Sequence, residues 1–304
     1  MKSRTLALRA AIAAISTLAA CHSTPKPKQP DQTAPKNHLE GYSQGSPAVQ
    51  AYSRYLTTLD TTLLSTTQPA YREFKRLFTG QPAEVGDTGF MLFYTFLRNL
   101  NTDTAAVQKL VGSYPLDTLA AAEEMDEPLS ARHKKARQTL ADNFFIVHED
   151  EGIGYLVPGW RLMPHYFAAY VTPTMKEVIA QSAKDDKEGF QNDAGLTMEP
   201  RQLAARTVWW ERFMARNPHH IYHEWAKSNY NILLLAMVSG MDNTPVTDYD
   251  SADRITPFFD TAYRMIRDSF PDSRTNTVIA PYWQAIRTKD TLTRKRIRDS
   301  LPSL

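Results

Sequence analysis

Apolar side chains recur at three- and four-residue steps along most of the chain after residue 46. In the first run, Val49, Tyr52 and Leu56 follow Ser46 and Pro47, a residue pair typical of a helix start, and the run continues to residue 63. The same spacing predicts further helices near residues 69–80, 87–97, 103–111, 117–125, 129–142, from 174 onward, 200–215, 218–239, 254–269 and 276–288.

The expected starts of these helices rest on local capping patterns. Asp87 and Asp253 are expected helix caps, and Thr174 stands three residues before Glu177, as in a capping box. For the helix at 218–239, Asn217 is the expected cap, Pro218 the first residue, and Gly240 the residue just past the end.

The helical spacing is interrupted near residues 143–158. Two short apolar runs, 144–147 and 153–157, flank the polar turn Glu149-Asp150-Glu151-Gly152, which is typical of a β-hairpin. The sequence therefore predicts a mostly α fold: an irregular multi-helix bundle or helical array of about ten helices with one short β-hairpin near 143–158. One large domain over residues 48–304, or a subdivision of it near 143–158, fits this length.

Residues 1–21 differ in kind from the rest of the chain. Lys2, Arg4 and Arg9 precede an apolar run of about eleven residues, well short of the ~20 that a membrane-spanning helix needs. The run ends in Leu18-Ala19-Ala20-Cys21, which resembles the lipobox of bacterial lipoprotein precursors. That resemblance implies removal of residues 1–20 as a signal peptide, acylation of Cys21, and anchoring of the mature chain to a membrane.

Cys21 is the only cysteine in the chain, so no intramolecular disulfide can form. Residues 21–47 contain five prolines and few apolar side chains, which predicts a flexible tether between the lipidated cysteine and the helical domain. His22 occupies the position where some bacterial lipoproteins carry an aspartate for inner-membrane retention. By that resemblance the expected location is the cell envelope, at the outer membrane rather than the inner one.

Charge gives little indication of a nucleic-acid partner. Without the three basic side chains of residues 1–20, the chain carries 32 Lys and Arg against 33 Asp and Glu. The basic run at 294–298 is mixed with acidic and polar residues, and we interpret it as a solvated helix end. We therefore expect no nucleic-acid binding.

The segment Pro218-His219-His220-Ile-Tyr-His223-Glu224-Trp225 holds the densest group of candidate catalytic side chains. In a helix, His219 and His223 lie one turn apart on one face and could chelate zinc, with Glu224 nearby for proton transfer. The order differs from the known zinc-protease motifs. The alternative interpretation is an ordinary polar helix start, which predicts no cofactor.

Acidic residues cluster at two other places. Glu149, Asp150 and Glu151 adjoin His148, and Asp248, Asp250 and Asp253 lie close together farther along. Paired carboxylates can hydrolyse glycosides when they face each other across a cleft. The alternative is that the first group only solvates a hairpin turn and that Asp253 caps a helix.

Aromatic residues offer a second class of site. Trp209, Trp210 and Trp225, with the stretch from Trp160 to Tyr170, could line a groove for a peptide or glycan, although aromatic residues at helical spacing are more often core. The sequence favours a non-catalytic envelope lipoprotein that binds a protein, peptide or glycan. The alternative is an envelope hydrolase, with or without metal, using His219, His223 and Glu224.

Overall fold

The structure is a computed structural model that describes residues 45–113, 115–124 and 130–301. The expected signal peptide, Cys21 and nearly all of the expected tether lie outside this described part. Within it, α-helices dominate and the strands form only short two-stranded antiparallel hairpins, which confirms the predicted mostly α fold.

Thirteen α-helices occur in the described part of the chain. Seven of them precede residue 170: α1 (Pro47–Leu56), α2 (Thr67–Phe78), α3 (Ala83–Arg98), α4 (Thr104–Val111), α5 (Leu116–Glu124), α6 (Ala131–Asp142) and α7 (Met163–Phe167). The other six are α8 (Pro173–Glu188), α9 (Pro200–Arg216), α10 (His223–Ser239), α11 (Pro257–Ser269), α12 (Arg274–Arg287) and α13 (Thr291–Ser300). The basic tail thus forms a helix of its own, capped by Asp290, which accepts a hydrogen bond from Thr293 N at 2.9 Å.

The predicted hairpin is formed by β1 (Phe145–Asp150) and β2 (Ile153–Pro158). Its turn contains Glu151 and Gly152, both with positive φ, a conformation that costs a glycine little. Two hairpins that we did not predict follow: β3 (Gln191–Asn192) with β4 (Gly195–Leu196), and β5 (Thr247–Asp248) with β6 (Ser251–Ile255). Runs this short carry almost no periodicity, which is why the sequence pattern does not reveal them.

Several helix ends follow from local chemistry as expected. Ser46 caps α1 by accepting a hydrogen bond from Val49 N, and Pro47 is the first helical residue. Gly240 ends α10 with φ of +68°, the left-handed conformation typical of a residue just past a helix. Helix α1 ends at Leu56, so the expected continuation to residue 63 is wrong.

Four predicted caps are wrong: Asp87, Thr174, Asp253 and Asn217, which precedes two turns rather than α10. Asp87 lies inside α3, buried, and accepts hydrogen bonds from Thr172 N (2.8 Å) and Thr172 Oγ1 (2.7 Å). Thr172, not Thr174, caps α8, with Pro173 as the first helical residue. Asp253 lies in β6 and forms an ion pair with Lys289 at 2.9 Å, while α11 begins later, after Thr256.

The described residues belong to one compact unit, which spans Thr33–Leu304, and their buried apolar side chains form a continuous core. In its first half, aromatic rings pack edge to face: Phe74 and Phe167 have centroids 4.9 Å apart, and Phe93 and Phe144 4.8 Å. Helix α9 is central to the second half, where it contacts α10, α11 and α12. No helix in the described ranges is long and apolar enough to cross a membrane.

Candidate interaction site

The two consecutive tryptophans of α9 point in different directions, because neighbouring residues of an α-helix are about 100° apart. Trp210 is buried, 1% exposed, and its indole Nε1 donates a hydrogen bond to Asp185 Oδ2 at 3.0 Å. Trp209 is only partly buried and stacks on Phe213, with centroids 5.5 Å apart and ring planes 10° from parallel. Trp209 is therefore the member of the pair that an incoming molecule can reach.

Trp209 lines an open depression of about 550 Å³ on the outer face of α9. The lining combines two aromatic rings, two guanidinium groups and small apolar side chains: Ala205, Val208, Trp209, Arg212, Ala215, Arg216 and Phe270. We call this surface the α9 depression. Six of these residues lie on one face of α9 over about three turns, and Phe270, just past the end of α11, also lines the depression.

The two arginines of the α9 depression have different partners. The Arg216 guanidinium lies 3.4 Å from Glu177 on α8, in an exposed ion pair. The Arg212 guanidinium stacks over the Phe270 ring, 5.0 Å from its centroid, and no carboxylate of a described residue lies within 4 Å of it. The depression thus offers an unneutralised cation between two aromatic rings, which suits a ligand that carries both carboxylate and apolar groups.

Trp225 belongs to a second group of rings, the aromatic cluster, formed by Tyr94, Trp160, Tyr222 and Trp225. Adjacent ring centroids lie 4.3 Å (Tyr94 to Trp160) to 6.1 Å (Trp160 to Tyr222) apart, so the rings pack on one another. Trp225 is partly exposed and carries the Arg98 guanidinium 4.8 Å above its ring. Burial raises the pKa of Tyr94 to about 12, so this phenol stays neutral at physiological pH.

A buried charge network holds α9 against α8, below the α9 depression. Asp185 accepts hydrogen bonds from Gln181 Nε2 (2.7 Å) and Trp210 Nε1 (3.0 Å). Arg206, which is 5% exposed, places Nε 2.9 Å from Asp185 Oδ1, an ion pair without hydrogen-bond geometry. It also donates to Glu188 Oε2 (3.0 Å) and to the carbonyl oxygen of Gly189 (2.8 Å).

The network has a strong effect on Asp185. Burial raises the pKa of Asp185 to about 6, although the Arg206 charge and the hydrogen bond from Trp210 oppose the shift. Because both carboxylate oxygens are engaged by α8 and α9, the group fixes the position of the two helices rather than facing a ligand. Asp185 also accepts the hydrogen bond of Trp210, which is next to Trp209 in the chain.

The histidine segment does not form the expected helix turn. Helix α10 begins at His223, not at Pro218, because residues 217–222 form two successive turns with hydrogen bonds from His220 N to Asn217 O and from His223 N to His220 O. The prediction that His219 and His223 share one helical face is therefore wrong. His219 is exposed in the first turn, and His223 places Nδ1 3.3 Å from the carbonyl oxygen of Asn217.

The other polar side chains of this segment also have structural partners. His220 accepts a hydrogen bond at Nδ1 from Tyr222 N (3.2 Å), and its Nε2 lies 3.5 Å from Asp87 Oδ2. Glu224 is exposed and pairs with Lys227 on the next turn at 3.6 Å. In the ranges that the structure describes, no group of three or more His, Cys, Asp or Glu side chains could hold a metal ion, so the zinc alternative has no ligand set there.

The acidic side chains of the two predicted clusters have structural partners, and those of the first cluster link two hairpins. Glu149 accepts a hydrogen bond from Asn192 Nδ2 (3.1 Å) and Asp150 one from Asp193 N (2.9 Å), which ties the first hairpin to the second. His148 lies 3.2 Å from the buried carboxylate of Asp186. In the later group, Asp248 pairs with Arg254 and Asp253 with Lys289, so neither group forms a pair of carboxylates facing a cleft.

Phe270, Arg212 and the Asp185–Arg206 pair are the parts of the site that we did not find in the sequence. The face of α9 that carries 205, 208, 209, 212 and 216 could have been found on a helical projection. No local signal connects Phe270 to it, since this residue comes from another helix. Comparison with protein-family models, with curated proteins and with solved structures finds no match to this chain.

Proposed function

We propose that the chain is a lipid-anchored binding protein of the bacterial cell envelope, held to the membrane through Cys21, with the outer membrane as its location. Its helical domain holds a protein or peptide segment in the α9 depression. The observation that carries the binding role is the partly exposed Trp209 beside Phe270 and the unpaired Arg212. We favour a peptide segment over a glycan because a peptide can supply, within a few residues, a carboxylate for Arg212 and an aromatic or aliphatic side chain for Trp209 and Phe270.

The positions of the histidine side chains do not favour the hydrolase alternative. A catalytic pair needs two side chains in reach of one reacting atom, and here His219 is exposed in a turn while His223 and Glu224 have their own partners. We therefore infer the kind of binding partner from the aromatic and basic residues of α9.

Replacing Cys21 tests the anchor. We expect Cys21→Ala to abolish incorporation of labelled palmitate and to release the chain from membranes washed with high salt, because the thiol that receives the lipid is gone and salt weakens electrostatic contacts of the protein surface. The matched control Ser23→Ala, two residues farther on, should keep both label and membrane association. Palmitate labelling of the Cys21→Ala chain would contradict the anchor.

A photo-crosslinking amino acid in place of Trp209 tests the binding role in the living cell. We expect a discrete crosslinked product that the added change Arg212→Glu reduces at least tenfold, since reversing one charge of a buried contact costs several kcal/mol. The crosslinker placed at Arg72, an exposed position of α2, is the control and should give no such product. A product that forms equally well with Arg212→Glu, or from position 72, would show that the α9 depression is not the binding site.

A further inference from the structure

The last three helices of the chain are basic, whereas the rest of the mature chain is acidic. Residues 257–301 contain nine Lys and Arg against five Asp and Glu, and residues 21–256 contain 23 against 28. The near-zero net charge of the mature chain therefore hides a separation of charge along it. Such an asymmetry orients a protein in the field of a charged surface.

Three guanidinium groups of this segment converge on one indole ring. Those of Arg264, Arg267 and Arg287 lie 5.9, 5.2 and 5.9 Å from the ring centroid of Trp283. Trp283 itself is 7% exposed, so the arginine side chains lie over a ring that is otherwise in the core. Cation–π contact with a common ring holds three positive charges in one small area of the surface.

Ion pairs within the segment neutralise only part of its positive charge, because basic side chains outnumber acidic ones. Asp260 pairs with Arg264, Asp268 with Arg267 and Asp299 with Lys295, while Asp290 caps α13. No carboxylate of a described residue lies within 4 Å of three other arginines: Arg287, Arg296 and Arg298. These three cations therefore form no close ion pair with a described carboxylate, although Asp290 lies near enough to Arg296 to interact with its charge.

Helix α13 adds an exposed apolar side chain to this charge. Leu292 is 76% exposed, among the most exposed large apolar side chains of the described residues. Lys295 and Arg296 follow it by three and four residues, so they lie on the same helical face, where all three line one open depression. A leucine flanked by basic side chains is typical of segments that lie on anionic membranes, where the apolar side chain enters the interface and the cations meet lipid phosphates.

We propose that these helices dock on the phosphate groups of an anionic lipid bilayer. The contact surface, which we call the C-terminal basic surface, consists of Leu292, Lys295 and Arg296 on one face of α13 and of the three arginines around Trp283, which are Arg264, Arg267 and Arg287. The proposed lipid anchor supplies the biological setting, because it keeps the domain within reach of a bilayer. The acidic remainder of the chain is repelled by the same lipids, so the C-terminal helices turn toward the membrane and the α9 depression is carried at a fixed orientation above it.

Vesicle binding by the unacylated chain tests this surface apart from the anchor. The chain from His22 to Leu304 contains the entire core and no lipid, so its sedimentation with vesicles measures the protein surface alone. We expect it to bind vesicles of phosphatidylcholine mixed with phosphatidylglycerol, and to bind vesicles of pure phosphatidylcholine at least tenfold more weakly. Binding should fall steeply as salt is added, because salt screens surface charge.

Two charge-reversed variants separate this surface from net charge. Arg287→Glu/Arg296→Glu should lower the partition coefficient at least tenfold, since each basic side chain near an anionic membrane contributes roughly a fivefold factor. Arg72→Glu/Lys109→Glu makes the same change in net charge at exposed positions of α2 and α4, and should change the coefficient by less than about twofold.

Leu292→Ser keeps the charge constant and should weaken vesicle binding by roughly three- to tenfold, because it removes the apolar contact. Equal binding to both kinds of vesicle, or equal losses in the two charge-reversed variants, would overturn the proposal. These outcomes are distinguishable from failure of the anchor, which palmitate labelling reports, because the vesicle experiment uses no acylated protein.

Discussion

The Trp210→Ala variant is expected to lose roughly 3–5 kcal/mol of unfolding free energy, the usual cost of removing a buried large aromatic side chain. Trp210 is fully buried and stacks with Tyr222, with centroids 5.9 Å apart. Its removal leaves a cavity between α9 and α10 and also takes a hydrogen-bond donor from Asp185. A buried carboxylate that loses a donor adds to the cost of the cavity.

Trp209→Ala is the matched control for this prediction, since it removes the same side chain from the adjacent position. Because Trp209 is partly exposed, we expect a loss of only about 1 kcal/mol. Urea unfolding followed by far-ultraviolet circular dichroism measures both variants without relying on tryptophan fluorescence. Similar losses in the two variants would contradict the different burial of the two side chains on which the α9 depression depends.

The helix starts show which features of the fold the sequence contains. Ser46 with Pro47, and Gly240, act on backbone groups one turn away, so their effect is visible in the sequence. Asp87 could have served as such a cap, but the fold uses its carboxylate to accept hydrogen bonds from Thr172, 85 residues later. A local pattern cannot distinguish these two uses of an aspartate.

The prediction that a helix begins at Pro218 is wrong for the same physical reason. Asn217 and Pro218 are good helix-start residues, yet the His220 side chain accepts a hydrogen bond from Tyr222 N and faces Asp87 of α3. These contacts hold residues 217–222 in turns and delay the helix to His223. Side chain–backbone hydrogen bonds of this kind compete with helix formation, and their occurrence depends on a partner far away in the chain.

The candidate interaction site was predicted only in part. Two consecutive tryptophans in a helix cannot both face the core, so a surface-accessible member of the pair was foreseeable. In the structure Trp210 is the buried one, and its hydrogen-bond partner Asp185 lies 25 residues earlier in the chain. Neither the pairing of Asp185 with Arg206 nor the position of Phe270 follows from spacing, because both depend on how α8, α9 and α11 pack.

The second large effect is expected at Arg206. Arg206→Met should lower the unfolding free energy by roughly 3–5 kcal/mol near neutral pH, because it leaves the charges of Asp185 and Glu188 close together and largely buried without their cation. Lys184→Met is the matched control, since Lys184 also pairs with Glu188, at 3.4 Å, but is 57% exposed. An exposed pair of this kind contributes about 0–1 kcal/mol.

The loss of unfolding free energy caused by Arg206→Met should become smaller as the pH falls. Burial raises the pKa of Asp185 to about 6 in the folded state, against an ordinary value of 3.8, so between these values the folded state binds more protons than the unfolded state. Stability from this group therefore increases as the pH is lowered from above 6 toward 4, and is lost as the pH rises. Removing the Arg206 charge, which lowers the pKa, extends this window to higher pH.

Urea unfolding of the wild type and of Arg206→Met at about pH 7.5 and about pH 5 measures this effect. We expect the difference in unfolding free energy between the two proteins to be smaller by roughly 1–2 kcal/mol at the lower pH, since one pKa unit corresponds to about 1.4 kcal/mol. The double variant Asp185→Asn/Arg206→Met lacks the titrating group and should show no such recovery. If the deficit of Arg206→Met is the same at both pH values, Asp185 is not the group whose charge Arg206 compensates. In that case Arg206 would connect α8 with α9 only through Glu188 and the carbonyl oxygen of Gly189. Trp210 would then keep its position without an ion pair between Asp185 and Arg206.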